Sequence, residues 1–213
     1  MLQLSQVHYR PAACPKDLLN GINLKAEFGN PIVIAGASGE GKTSLVEVIS
    51  GLSKAQKGII SWNNKALSPR QRRWLCGVVF QFPERHFLGL TVSQELRLGH
   101  RRLSTEKQTL VLKKVGLSDI DLRQAPEKLS GGQQRRLALA IQLLRKPKVL
   151  LLDEPTAGLD WSVRNEVLGI LNKLTNDQIL IIVTHEPELF HNLSSKYLLK
   201  EGSLKATPTS KKS

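Results

Sequence analysis

The chain has 213 residues, 40% hydrophobic and 23% charged, enough for one sizeable core or a core with a small subdomain. Its net charge of +13 suits an anionic partner (nucleotide, nucleic acid or membrane surface) or a solvated basic face. No run approaches the ~18 apolar residues of a membrane span, and Met1-Leu-Gln-Leu-Ser lacks signal-peptide form, so an intracellular chain that does not itself cross a membrane is expected.

Cys14 and Cys76 lie far apart without metal-ligand spacing and read as reduced thiols. Leu2, Leu4 and Val7 alternate with polar residues up to His8-Tyr9, predicting a first strand. Residues 11–15 form a loop. Ile22, Leu24 and Ala26 mark a second strand, and Gly29-Asn30-Pro31 turns it into the apolar run Ile32-Val33-Ile34-Ala35. A helix follows with Leu45, Val48 and Ile49 on one face. Residues 59–62 and 77–80 read as strands, with a short helix begun by Ser68-Pro69 between them. From Gln81 to about Leu129 the pattern turns helical and charged. Residues 92–100 and 104–115 are the best helices there, and residues 82–130 read as an inserted helical subdomain. Next come a helix over 132–144, an unbroken apolar strand over 149–152, a helix over 161–174 and a buried strand over 179–183. Tyr197 to Leu199 and Leu204 flank Glu201-Gly202, a hairpin signal. Residues 206–213 form a basic tail expected to be mobile. The alternation predicts an α/β fold with a mainly parallel sheet, a β-rich N-terminal portion and the helical insert, as one domain over residues 1–205. Its nucleotide would sit at the C-terminal ends of the strands.

Three stretches carry chemistry. Gly36-Ala37-Ser38-Gly39-Glu40-Gly41-Lys42-Thr43, with Ser44 after it, fits the phosphate-loop pattern G-x-x-x-x-G-K-[ST], and it stands between a strand and a helix as that pattern requires. Glycines let successive N–H groups converge on phosphate oxygens, and the helix adds its positive end. Lys42 can reach the β- and γ-phosphates, and the Thr43 hydroxyl can ligate Mg²⁺. Asp153 and Glu154 end a buried strand: Asp153 is the candidate Mg²⁺ holder and Glu154 the candidate for polarising an attacking water. Ser130-Gly131-Gly132-Gln133 opens a helix with an N-cap and two glycines, a second anion site. One ATP on one chain needs only one such helix end, so the second is expected to serve a neighbouring copy.

Leu129 to Gln133 is similar to the LSGGQ sequence of ABC-family ATPases, the P-loop NTPases of membrane transporters. Asp153-Glu154-Pro155-Thr156-Ala157-Gly158-Leu159-Asp160 resembles their extended Walker B and D-loop, and Val183-Thr184-His185 their H-loop. Gln81 stands at the Q-loop glutamine and Tyr9 at the adenine-stacking aromatic. Alone, His185, Tyr9 and Gln81 would read as structural residues; their roles come from the resemblance. It implies a head-to-tail dimer, with itself or a paralogue, holding two Mg-ATP. Residues 36–44 of one copy would cradle each ATP, and Ser130 and Gly132 of the other would close on its γ-phosphate. Gln81 would couple Mg²⁺ and water to the helical subdomain, His185 would contact the γ-phosphate, and Asp160 would link the two sites. Gln81-Phe-Pro83-Glu84 through Thr91-Val92 resembles the run found in energy-coupling-factor and cobalt-type importer ATPases, although His86 and Leu88 replace the usual residues. That region of the family receives an integral membrane subunit, which implies an importer ATPase peripheral to a membrane and argues against nucleic acid as a partner. A soluble ABC ATPase acting on nucleic acid or in iron–sulfur assembly is the alternative. The chain stops soon after the last expected strand, so no C-terminal regulatory domain is expected.

Overall fold

Residues 1–12, 14–190 and 195–207 are described in the computed structural model. The glycine-rich loop leaves β3 (Ile32–Ala35), whose Ile32, Val33 and Ile34 are buried as an unbroken apolar run between two covered faces must be. β3 pairs in parallel with β8 (Ile179–Thr184) on one side and β9 (Ser195–Lys200) on the other. β7 (Val149–Asp153) runs parallel to β8. β6 (Cys76–Val79) and β10 (Ser203–Ala206) complete a six-stranded sheet ordered β10-β9-β3-β8-β7-β6.

The N-terminal portion makes a four-stranded sheet, ordered β2-β1-β4-β5. In it β1 (Leu2–Tyr9) pairs antiparallel with both β2 (Leu19–Ala26) and β4 (Lys57–Trp62), and β5 (Lys65–Ala66) follows β4. Alternation put Leu2, Leu4, Ile22 and Leu24 inside, as observed. Between the sheets' strands lie α1 (Lys42–Ser50), with Leu45, Val48 and Ile49 fully buried, and α2 (Pro69–Leu75), begun by a Ser68–Gln71 capping box. The buried Arg72 guanidinium on α2 donates to Val48 O at the end of α1 (2.7 Å).

The chain forms two compact units. The first comprises Met1–Val78, Pro147–Glu154 and the part from Leu174 onward; the second comprises Val79–Lys146 and Pro155–Lys173. The second unit is helical: α3 (Val92–Arg97), α4 (Thr105–Lys114), α5 (Gly131–Leu144) and α6 (Trp161–Leu174). It takes in α5 and α6 as well as the stretch 82–130. Inside it, Arg136 on α5 reaches Glu166 on α6 at 2.6 Å. Its core is Val92, Leu96, Val111, Leu112, Leu137, Val167 and Leu171.

Among the boundaries that differ from the sequence reading, two have a visible physical cause. α3 ends at Arg97, three residues before His100, because Leu98 turns to an extended ψ of 124° and Gly99 takes φ +80°. At the C-terminus Ala206 belongs to β10 and the Thr207 N–H donates to Lys196 O (2.9 Å), so these residues are ordered in the sheet; 208–213 lie outside the described residues. No helix among the described residues is long and apolar enough to cross a membrane.

Candidate active site

In the first unit, β3 ends into Gly36, whose added Cβ would lie 2.8 Å from Leu199 O on β9; only glycine fits so close to the neighbouring strand. Gly39 and Gly41 take φ of +86° and +95°, curling the loop, while Ala37, Ser38 and Gly39 stay exposed. Glu40 is tied down: its carboxylate accepts the Glu201 N–H from the β9–β10 turn at 2.6 Å. The start of α1 carries no side-chain cap and no acidic residue in its first turn, so its orphan N–H groups and positive end are left for an anion. Lys42 is buried and folds back on the loop, donating from Nζ to Gly36 O (2.7 Å) and Ala37 O (3.1 Å). Ser44 is half-buried one residue further into α1.

Thr43, at the first turn of α1, donates its hydroxyl to Asp153 Oδ2 at 2.7 Å, joining the loop to the end of β7. Burial pushes the Asp153 carboxyl up from its ordinary range; the Thr43 bond opposes this, Glu154 adds to it and Lys42 offsets part. A raised carboxyl pKa means that ionising Asp153 weakens the fold as pH rises through that range. A bound cation would reverse that penalty. Among the described residues, no group of three or more His, Cys, Asp or Glu forms a metal cage. Mg²⁺ does not need one: it takes one or two protein oxygens and completes its shell with phosphate and water. Thr43 and Asp153 fit that demand.

Glu154 follows Asp153 but leaves the strand at φ +49°, a left-handed conformation that costs a non-glycine residue about 1–3 kcal/mol and persists only where neighbours enforce it. The neighbours are visible. Its N–H donates to Val183 O (2.9 Å). Oε2 accepts the Thr184 hydroxyl (3.0 Å) and the His185 N–H (3.2 Å), and lies 2.9 Å from His185 Nδ1. Oε1 stands 3.5 Å from Lys42 Nζ. A nearly buried carboxylate is thus positioned from both sides, with His185 half exposed beside it. Thr184 was not singled out in the sequence. The only local signal is its place between a buried strand and His185.

Tyr9 ends β1. Its carbonyl accepts the Leu18 N–H (2.8 Å), its hydroxyl donates to Ser53 Oγ (3.4 Å), and an added Cβ on Gly41 would meet Leu18 at 3.0 Å. Leu18, bonded to Tyr9, is therefore the residue that meets the phosphate loop at Gly41. The first unit brings together Tyr9, the loop, Asp153, Glu154 and His185.

The second unit holds Gln81, Ser130 to Gln133, and Asp160. Ser130 caps α5: its Oγ accepts the Gln133 N–H (3.3 Å), and Gln133 Oε1 accepts the Ser130 N–H (2.9 Å). The Gln133 side chain is thereby occupied in the cap. Gly131 faces open space, but an added Cβ on Gly132 would lie 2.3 Å from Val163 Cγ1. Gly132 is glycine because α5 and α6 meet there. Asp160 Oδ1 accepts the Val163 N–H (3.0 Å) at the start of α6. Arg135, unremarked in the sequence, donates to Ala157 O (2.9 Å) and Gln81 O (2.7 Å), tying both stretches to α5. Gly132→Ala is expected to lower Tm by roughly 2–6 °C through overpacking. Adding Val163→Ala should restore most of it, measured by thermal melts of the single and double variants. No recovery would place the strain elsewhere.

The family model described as ABC transporter matches residues 19–157. "ABC transporter I family member 11, chloroplastic" of Arabidopsis thaliana is 38% identical over 207 residues, covering 87% of this chain and 72% of that protein. The energy-coupling factor transporter ATP-binding protein EcfA2 of Latilactobacillus sakei subsp. sakei is 33% identical, covering 86% of this chain and 68% of that protein. Among solved structures, the dimeric post-hydrolysis state of the ATP-binding cassette MJ0796 bound to ADP and Pi superposes with a TM-score of 0.83. It is 26% identical and covers 98% of this chain and 99% of that one. With a phosphate loop, a Thr43–Asp153 pair and a positioned Glu154 in one unit, and a family match over most of its length, this chain belongs to the ABC transporter family as an ATP-binding and ATP-hydrolysing cassette.

Proposed function

We propose that this chain is the ATPase subunit of an energy-coupling-factor type importer, acting as a single nucleotide domain over residues 1–207. The observation that carries the ATPase part of the reading is the buried Glu154 carboxylate, held by Thr184 and His185 next to Lys42, and the EcfA2 likeness supports the importer part. Residues 36–44 bind the phosphates, with Tyr9 against the base. Thr43 and Asp153 would hold Mg²⁺, which when bound would neutralise charge on the β- and γ-phosphate oxygens, and the resemblance assigns a further oxygen ligand to Gln81. Lys42 leaves its carbonyl partners for phosphate oxygens. Glu154 orients the water and takes its proton as the water attacks the γ-phosphorus and the bond to the β,γ-bridging oxygen breaks. His185 approaches the γ-phosphate. If its Nδ1–H donates to Glu154, only the imidazolium also offers an N–H at Nε2.

The second phosphate-binding end, Ser130 to Gln133 with Asp160, serves the site of a second ATPase subunit, self or paralogue, arranged head to tail. The dimeric cassette bound to ADP and Pi supports this. An integral membrane subunit docks after Gln81, and the chain works peripheral to that membrane on the side where ATP is present; the EcfA2 likeness supports this. The relatives named are transporter proteins, which favours this reading over a soluble ATPase of nucleic acid or iron–sulfur assembly. The test is co-purification: the tagged Glu154→Gln chain is captured from detergent-solubilised source membranes with ATP. A stoichiometric integral membrane protein is expected. Recovery of ribosomal proteins, nucleic acid or soluble assembly factors alone would overturn the transporter assignment.

A further inference from the structure

Glu40 stands inside the phosphate loop, between Gly39 and Gly41, and puts a negative charge where an anion is to bind. The phosphate-loop pattern leaves that position open, because a loop that binds through its backbone N–H groups requires no particular side chain there. A carboxylate beside a triphosphate repels it unless it is turned aside. Here it is turned aside. Glu40 Oε2 accepts the Glu201 N–H at 2.6 Å, from 161 residues further along the chain. The acceptor is ionised, which makes this one of the stronger kinds of hydrogen bond.

The turn that supplies this N–H is itself fixed. Glu201 and Gly202 lie beyond Lys200–Ser203, the end pair of the β9–β10 ladder, so the Glu201 N–H is not committed to that ladder. Both residues take left-handed φ, +50° and +73°, in a two-residue turn that favours Asn-Gly; Glu201 holds this conformation against its preference. Gly202 is buried, its carbonyl accepts the Asn20 N–H of β2 (2.7 Å), and an added Cβ would lie 3.0 Å from Leu18 O. The β9–β10 hairpin therefore grips the phosphate loop at two points, by the close approach of Leu199 O to Gly36 and by the hydrogen bond to Glu40. Between these points Ala37, Ser38 and Gly39 are exposed, and Gly39 faces open space. Lys42 also braces this arc through Gly36 O and Ala37 O, but its ammonium is the group that phosphate oxygens would claim. The Glu40 bond is under no such competition, so it can keep the loop curled while phosphate binds.

We propose that Glu40 is a positioning residue for nucleotide binding: it fastens the phosphate loop to the β9–β10 turn, which keeps the loop shaped for phosphate and its own charge turned away from it. The proposal rests on the reading that residues 36–44 bind the phosphates.

The test is steady-state ATPase and equilibrium ATP binding of the full-length purified chain. Glu40→Ala should raise KM and Kd for ATP about tenfold while kcat stays within about twofold, because the loop loses its fastening and the reacting groups are untouched. Glu40→Gln keeps an oxygen acceptor and should restore both constants to within about threefold of wild type. If the carboxylate acted only by repelling phosphate, both variants would bind ATP more tightly than wild type, and that result would overturn the proposal. So would a fall in kcat at unchanged KM, or a Glu40→Gln variant as impaired as Glu40→Ala. Glu201→Gly keeps the N–H and accepts a positive φ, so KM should not move; a rise equal to that of Glu40→Ala would assign the effect to the Glu201 side chain and overturn the proposal. Amide hydrogen exchange reads the bond without any variant: the Glu201 N–H should be protected in the wild-type chain and more so with a non-hydrolysable ATP analogue bound. Unprotected exchange there in both conditions would overturn the proposal. Lys42→Ala measured in parallel reports on the loop assignment itself. Lost affinity in Lys42→Ala beside unchanged affinity in Glu40→Ala would overturn this proposal alone, whereas unchanged affinity in Lys42→Ala would remove the reading beneath it.

Discussion

Replacing Glu154 by Gln is expected to lower kcat about 10²–10⁴-fold while ATP still binds, by removing the base that takes the water's proton. The isosteric amide keeps an oxygen for the Thr184 hydroxyl and the His185 N–H, so the strained backbone at φ +49° stays supported and Tm should move by only about 2 °C. ATP affinity should hold or rise. In the absence of nucleotide the Glu154 carboxylate competes for Lys42 from 3.5 Å, and the amide removes that competitor. Single-turnover phosphate release beside equilibrium nucleotide binding separates the two effects. Wild-type-like hydrolysis would remove Glu154 from its role. Weakened binding would instead show that the substitution disturbed the loop.

Replacing Lys42 by Ala is expected to weaken ATP binding at least about 100-fold, because two losses coincide. The cation that meets the phosphates disappears, and Glu154 is left buried without its positive neighbour, repelling an incoming anion. The geometry predicts coupling: Lys42→Ala combined with Glu154→Gln should recover part of the lost affinity, by a factor of about ten. Simple additivity in the double variant would mean that the 3.5 Å approach carries no energy in solution. Lys42→Arg should rescue poorly. The ammonium bonds two carbonyls in a space where a planar guanidinium has no matching fork.

Both variants act on groups that the sequence already marks, because the marking is local. Lys42 is identified by the six residues before it, and Glu154 by the apolar strand that ends beside it. A phosphate loop is contiguous backbone, so residue order alone shows where its N–H groups converge. The strands were legible for the same reason: β3, β7 and β8 are apolar runs because both their faces are covered, and β1 and β2 alternate because one face is not.

What supports those residues depends on contacts between distant parts of the chain. Thr184 reaches Glu154 across 30 residues, Arg135 reaches Gln81 across 54, and Thr43 reaches Asp153 across 110. Only the Thr43–Asp153 pairing had a motif to announce it. The rest arise from parallel strand order and helix packing. Gly132 reads from sequence as one more phosphate-binding glycine, yet its lack of a side chain is set by Val163 on the next helix. Glu95 reads as an ordinary helical acid and becomes an anchor only because the turn before α3 folds back onto it. By itself, then, the sequence determined the fold class and the family and named the candidate reactive groups, all of which are written in contiguous patterns. The tertiary structure decided how those groups are held, because steric fit and buried hydrogen bonds are properties of residues that meet only after the chain has folded.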